Sequence, residues 1–96
     1  MKGLNEEIVR KGARFHLQTQ DLGPREPVIQ ALLYKSGRMV HSRRLSYASF
    51  LNQPNFSEKA QSLLKDLHNS IIAEVQAGKF DHFLTPEEKQ GPGGGA

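Results

Sequence analysis

The chain has 96 residues, with 13 Lys/Arg against 10 Asp/Glu, a formal charge of +3 and no cysteine. That length allows one domain at most, close to the lower limit at which a chain can bury its own core. The lack of cysteine excludes disulfides and thiolate metal sites.

A unit of this size often gains stability from a second subunit. The opening residues Met1-Lys2-Gly3-Leu4-Asn5-Glu6-Glu7 are too polar for a signal peptide, and no apolar run approaches membrane-spanning length. The expectation is a soluble cytoplasmic protein that makes no membrane contact. The charge is uneven along the chain. Residues 1–45 hold nine Lys/Arg against four acids, and residues 46–96 hold four Lys against six acids. The two halves can therefore attract each other, within a subunit or between subunits.

Residues 1–12 read as a lead-in. Glu6-Glu7 early and Arg10-Lys11 late suit the dipole of a helical turn, and Gly12 ends it. Residues 13–20 then alternate. Ala13, Phe15, Leu17 and Thr19 share one face, and Arg14, His16, Gln18 and Gln20 the other, as in a strand with one solvated side. Residues 21–27 form a loop around Gly23, Pro24 and Pro27. Residues 28–35 are apolar on both faces, which suits a central strand. Ser36-Gly37 turns the chain into a third strand that runs from Arg38 to Tyr47. A two-residue turn and a bulged three-residue loop are both open here. The choice decides which face carries His41 and Arg43.

Pro54 breaks the chain, and a helix is expected over residues 57–78. Asn55 or Ser57 can cap it, Asn55 with Glu58 three residues on. Ala60, Leu63, Leu64, Leu67, Ile71, Ile72 and Val75 form a broad apolar stripe at helical spacing. Gly78 is the natural C-terminal cap. Phe80, Phe83 and Leu84 can fold back on the helix end. Residues 85–96 read as a disordered Gly/Pro-rich tail that buries too little to offset its ordering entropy. The expected architecture is α+β: a three-stranded antiparallel meander and one long helix in the order βββα, spanning residues 13–84.

Four features bear on function. The basic run 35–44 places Lys35, Arg38, Arg43 and Arg44 on a ribbon that can contact phosphates or an acidic partner. Its bland counterpart is a charged strand that resists edge aggregation. His68 falls inside the apolar stripe, where a buried histidine with a hydrogen bond fits better than a ligand, because no metal-ligand spacing accompanies it. Asp81-His82 reads as a surface pair. Catalytic motifs are missing: no Gly-rich phosphate loop leads from a strand to a helix, and Glu6-Glu7 and Glu87-Glu88 sit in end segments. The helix itself mixes acids and bases on its polar side, which suits a core or a partner-binding role. Leu63, Leu64, Leu67, Ile71, Ile72 and Val75 are the candidates for that core or for a dimer interface.

A set of short motifs runs through the chain. It comprises His16-Leu17-Gln18-Thr19-Gln20-Asp21-Leu22-Gly23, Val28-Ile29, Gly37-Arg38-Met39-Val40 and Ser46-Tyr47. Leu64 through His68 with Ile72, and Ala77-Gly78-Lys79-Phe80-Asp81, complete it. Over residues 12–81 the chain resembles a small, functionally uncharacterised bacterial domain that occurs alone or attached to larger regulatory proteins. The resemblance implies an accessory or regulatory role, with no catalytic residue and no cofactor. The reading favoured on all counts is a non-catalytic protein-interaction module, homodimeric, with a further protein partner unidentified. The alternative is a nucleic-acid-binding domain that uses the hairpin 35–44, and a small enzyme ranks third.

Overall fold

A computed structural model describes residues 3–90. Strands β1 (Gly3–Arg10), β2 (Ala13–Asp21), β3 (Val28–Lys35) and β4 (Arg38–Ser46) form one antiparallel sheet in the order β1-β2-β3-β4. Helix α1 (Phe56–Gln76) follows and packs over β1, β2 and β3. A short helix α2 (Pro86–Gln90) comes last. The fold is α+β with one long helix on an antiparallel meander, as expected, but the meander has four strands instead of three.

The added strand comes from the supposed lead-in. Lys11 and Gly12 have φ of 51° and 79°, and Ser36 and Gly37 have 54° and 76°. Positive φ at both central residues is the signature of a two-residue type I′ hairpin turn, whose twist matches that of the strands it joins. Gly12 thus closes a β-hairpin and does not end a helix. The second turn fixes the register that the sequence leaves open. Lys35 pairs with Arg38 and Tyr34 with Met39. A bulge at Val40 then restores pairing at Leu33 with His41 and Ala31 with Arg43. His41 and Arg43 therefore lie on the same side as Leu33 and Ala31, under the helix.

The core fills the space between that side of the sheet and α1. Ile8, Phe15, Leu17, Ile29, Ala31 and Leu33 meet Leu64, Leu67, Ile71 and Val75 from the helix. Leu63 and Ile72 lie at the margins and are half-buried. Tyr47 closes one end of the core. Its hydroxyl donates to Asp21 Oδ1 at 2.7 Å.

Asn55 is the N-cap position of α1, but its side chain makes no capping bond. Its C-terminus is a Schellman motif. Gly78 has φ of 88°, its N–H donates to the Val75 carbonyl at 3.1 Å, and the Lys79 N–H donates to the Glu74 carbonyl at 3.0 Å. Phe80 and Leu84 then return to the core, as expected, but Phe83 does not and stays 37% exposed.

The supposed tail begins too early. Thr85 and Glu88 form a capping box: the Thr85 N–H donates to Glu88 Oε1 at 2.9 Å, and the Glu88 N–H donates to Thr85 Oγ1 at 3.2 Å. This starts α2 two residues after Leu84, the last core side chain. The remainder of that expected tail, residues 91–96, lies outside the described residues.

Candidate functional site

The two faces of the sheet differ in kind. On the helix side, basic residues of the strands meet acids from the second half of the chain. Arg10 donates to Asp81 through Nε at 3.1 Å and Nη2 at 2.9 Å. Arg43 donates to Glu74 through Nη1 at 2.9 Å and Nη2 at 2.8 Å. Both are bidentate pairs, the strongest geometry for guanidinium and carboxylate. Lys35 Nζ lies 3.0 Å from Glu88 Oε1. The attraction between the basic and acidic halves is thus realised inside one chain.

The titration shifts follow from these contacts. The Arg43 hydrogen bond holds Glu74 below its ordinary value, against the opposing effect of burial. The Arg10 hydrogen bond does the same for Asp81. The Thr85 backbone N–H, followed by Lys35, lowers Glu88. His41 is pushed down, first by burial and then by the neighbouring Arg43 charge. Its Nε2 lies 3.0 Å from Arg43 Nη2, and a guanidinium can only donate, so Nε2 is the acceptor and the ring is neutral. The His41 ring also packs against Phe80, with 5.1 Å between centroids.

His68 has the buried, satisfied role expected of it. It is 3% exposed, and its Nδ1 lies 2.7 Å from Thr19 Oγ1. Its Nε2 lies 3.1 Å from Glu6 Oε1. A carboxylate only accepts, so Nε2 carries a proton; in the neutral ring Nδ1 then accepts from the Thr19 hydroxyl. Threonine, histidine and carboxylate in series resemble a nucleophile relay. However, Thr19 is fully buried, so its hydroxyl has no access to a substrate. The relay ties β1, β2 and α1 together.

The open face of the sheet presents a different surface. Register places Glu7, His16, Tyr34 and Met39 in one row across the four strands. Asn5, Gln18, Leu32 and Ser42 form the adjacent row. No described element packs across these rows. Val9 and Met39 are 52% and 56% exposed at the two edges, and Leu32 and Tyr34 are half-buried between them. Glu7 pairs with Arg14 at 3.3 Å, and Arg44 pairs with Glu26 at 2.6 Å. A hollow of about 360 Å³ lies beside Glu7, Arg14, His16 and Tyr34.

The four basic candidates from the hairpin are therefore dispersed. Lys35 and Arg43 lie under the helix side and are neutralised by acids. Arg44 is on the open face, paired with Glu26. Arg38 is exposed beside the turn and forms no ion pair among the described residues. Of the helix candidates, Leu64, Leu67, Ile71 and Val75 are core, and Leu63 and Ile72 are margin. Among the described residues no group of three or more His, Asp or Glu side chains is placed to hold a metal ion, and no helix is long and apolar enough to cross a membrane. The residues of these surfaces that pattern reading does not single out are the open-face pair Val9 and Met39 and the α2 acid Glu88. The Thr85-x-x-Glu88 spacing was the available signal for the last. Comparison with protein-family models, with curated proteins and with solved structures found no match.

Proposed function

We propose that the protein is a non-catalytic interaction module that self-associates through the open face of its sheet. The observation that carries this reading is the uncovered face itself. It presents Val9 and Met39 at its two edges and Leu32 and Tyr34 at its centre. The one long helix covers only the opposite side. A second copy is the partner best suited to the surface. The charges on it come in opposite pairs, Glu7 with Arg14 and Arg44 with Glu26, so two copies meet without net like-charge repulsion. A symmetric pair is the commonest closed arrangement, and the added burial suits a domain of this size.

The nucleic-acid reading loses support from the hairpin. Lys35 and Arg43, two of its four cations, are already engaged by Glu88 and Glu74. The enzyme reading loses support from the full burial of Thr19 in the Thr19–His68–Glu6 relay.

Sedimentation equilibrium from low to high micromolar protein tests the proposal. The expected result is a concentration-dependent rise from monomer to dimer mass. The double variant Val9→Glu, Met39→Glu should stay monomeric with an unchanged circular dichroism spectrum. A monomer mass throughout for the native chain rejects self-association. A dimer that survives the double variant rejects this face as its interface.

A further inference from the structure

We propose that the cleft between the β3–β4 turn and Phe83 binds an acidic peptide, and that Glu88, which pairs with the lining residue Lys35, acts as an internal competitor for it. The cleft has a volume of about 310 Å³ and is lined by Lys35, Ser36, Arg38, Val40 and Phe83. It lies at the turn end of the sheet, on the side that faces the helix, and does not depend on self-association through the open face.

Three observations combine at this place. First, Lys35 is a built cation. Only 9% of its side chain is exposed, and its ammonium is 3.0 Å from Glu88. A lysine so far out of water must keep a counter-ion, because an unpaired buried charge is strongly destabilising. Second, the acid that supplies the counter-ion stands on a weak element. Helix α2 has five residues, held at its start by the Thr85–Glu88 capping box and at its end by Lys11 Nζ donating to the Lys89 carbonyl at 3.4 Å. A helix this short has no stability of its own in water, so Glu88 is presented only while α2 is docked. Third, Arg38 stands across from Lys35 in the register and has no ion-pair partner among the described residues. When α2 lifts, the cleft holds two adjacent cations and no acid.

The chemistry of the cleft selects the ligand. Two cations at one cross-strand position match one or two carboxylates. They do not make the extended track that a phosphate backbone requires. Val40 and the partly exposed ring of Phe83 add an apolar wall, which an apolar side chain next to the carboxylate would cover. The acid that already pairs with Lys35 is itself a peptide carboxylate. The fitting partner is a peptide segment of another protein with paired acids beside an apolar residue.

The test uses the full chain and a fluorescein-labelled synthetic peptide that copies residues 83–90, read by fluorescence anisotropy. An internal ligand competes at high effective concentration, so removing it should raise the apparent affinity by about tenfold or more. The expected result is weak binding by the native chain, at least that gain in Glu88→Gln, and loss of the gain in Glu88→Gln, Arg38→Glu. Arg38 is exposed, so its change leaves the fold intact. Equal binding by the native chain and Glu88→Gln overturns the proposal, as does a gain that survives the Arg38 change. A labelled single-stranded oligonucleotide that gains as much as the peptide would replace the peptide site with a general polyanion site. A doubled sedimentation mass for Glu88→Gln alone, with the peptide left unbound, would mean that α2 exchanges between copies and would reject the cleft as a site for a foreign ligand.

Discussion

The Thr19 hydroxyl and His68 Nδ1 lie 2.7 Å apart across 49 residues of sequence, in a place with almost no solvent access. The contact joins the central strand β2 to the middle of α1. On the other side of the ring, Nε2 reaches Glu6 on the edge strand β1. One imidazole thus fixes the rotation of the helix over two strands. Apolar packing alone does not fix it, since the stripe from Leu63 to Ile72 is broad enough to tolerate some roll.

This geometry predicts strong coupling between the two residues. Thr19→Val leaves a buried ring nitrogen unsatisfied, and His68→Leu leaves a buried hydroxyl unsatisfied. Each should cost about 1–3 kcal/mol. The double variant removes both orphaned groups, so its cost should fall well short of the sum, as contacting residues are not additive. Urea unfolding of the four proteins measures the cycle. Strict additivity would mean that the hydrogen bond contributes nothing.

Leu67 and Leu63 stand four residues apart on the same helix but belong to different environments. Leu67 is in the core and Leu63 at its margin. Leu67→Ala is expected to cost about 2–5 kcal/mol, the range for a buried leucine reduced to its Cβ. Leu63→Ala should cost clearly less, because part of its side chain is already in water. Equal losses in denaturant unfolding would show that the stripe is centred on the wrong residue.

These contacts explain what pattern reading can and cannot find. Residues 13–20 alternate visibly because β2 has one covered and one open face. The helix and its Gly78 cap are visible for the same kind of reason, a local period followed by a local stop. The first strand is hidden because two of its four inward positions are charged. Glu6 and Arg10 look like solvent residues until His68 and Asp81, 62 and 71 residues away, come to meet them. The basic hairpin misleads in the same way. Lys35 and Arg43 look like a free patch because Glu88 and Glu74 lie on later elements. The bulge at Val40, which sets the register of β4, has no marker in residue type. The open face is the opposite case. Leu32 and Tyr34 are evident in the doubly apolar run 28–35 and Val9 and Met39 are not, but the role of all four depends on what the fold leaves uncovered.

Truncation after Leu84 tests the role of α2. Residues 85–89 are mostly exposed, yet truncation takes Glu88 from the nearly buried Lys35 ammonium. The melting midpoint should fall by about 4 °C or more, a shift that a small domain shows readily. Lys35→Met in the truncated chain should recover part of the loss, since an apolar side chain there needs no counter-ion. An unchanged midpoint on truncation would return residues 85–90 to the status of a dispensable tail.

The titration shifts predict a stability profile with two limbs. Glu74 is held below its ordinary value of 4.5 by Arg43, and Asp81 below 3.8 by Arg10. A lowered folded-state value means that the folded chain binds protons less readily than the unfolded one. The stabilisation is therefore complete above about pH 4.5 and is lost as pH falls through the folded-state values. Tyr47 has the opposite sign. Burial, followed by its hydrogen bond to Asp21, raises its hydroxyl from 10.0 to about 12. Its contribution is complete below pH 10 and is lost as pH rises to about 12. His41 is also held below its ordinary value of 6.5, so its contribution is lost as pH falls below about 6.5, and the melting midpoint should be level only between there and the alkaline limb. Arg43→Met should make the acid limb shallower, and Tyr47→Phe should make the alkaline limb shallower. In the folded chain the tyrosinate absorbance of Tyr47 should appear only near pH 12. An acid limb unaltered by Arg43→Met would remove the Arg43–Glu74 pair as its source, and Tyr47 absorbance rising near pH 10 would refute the burial of its hydroxyl against Asp21.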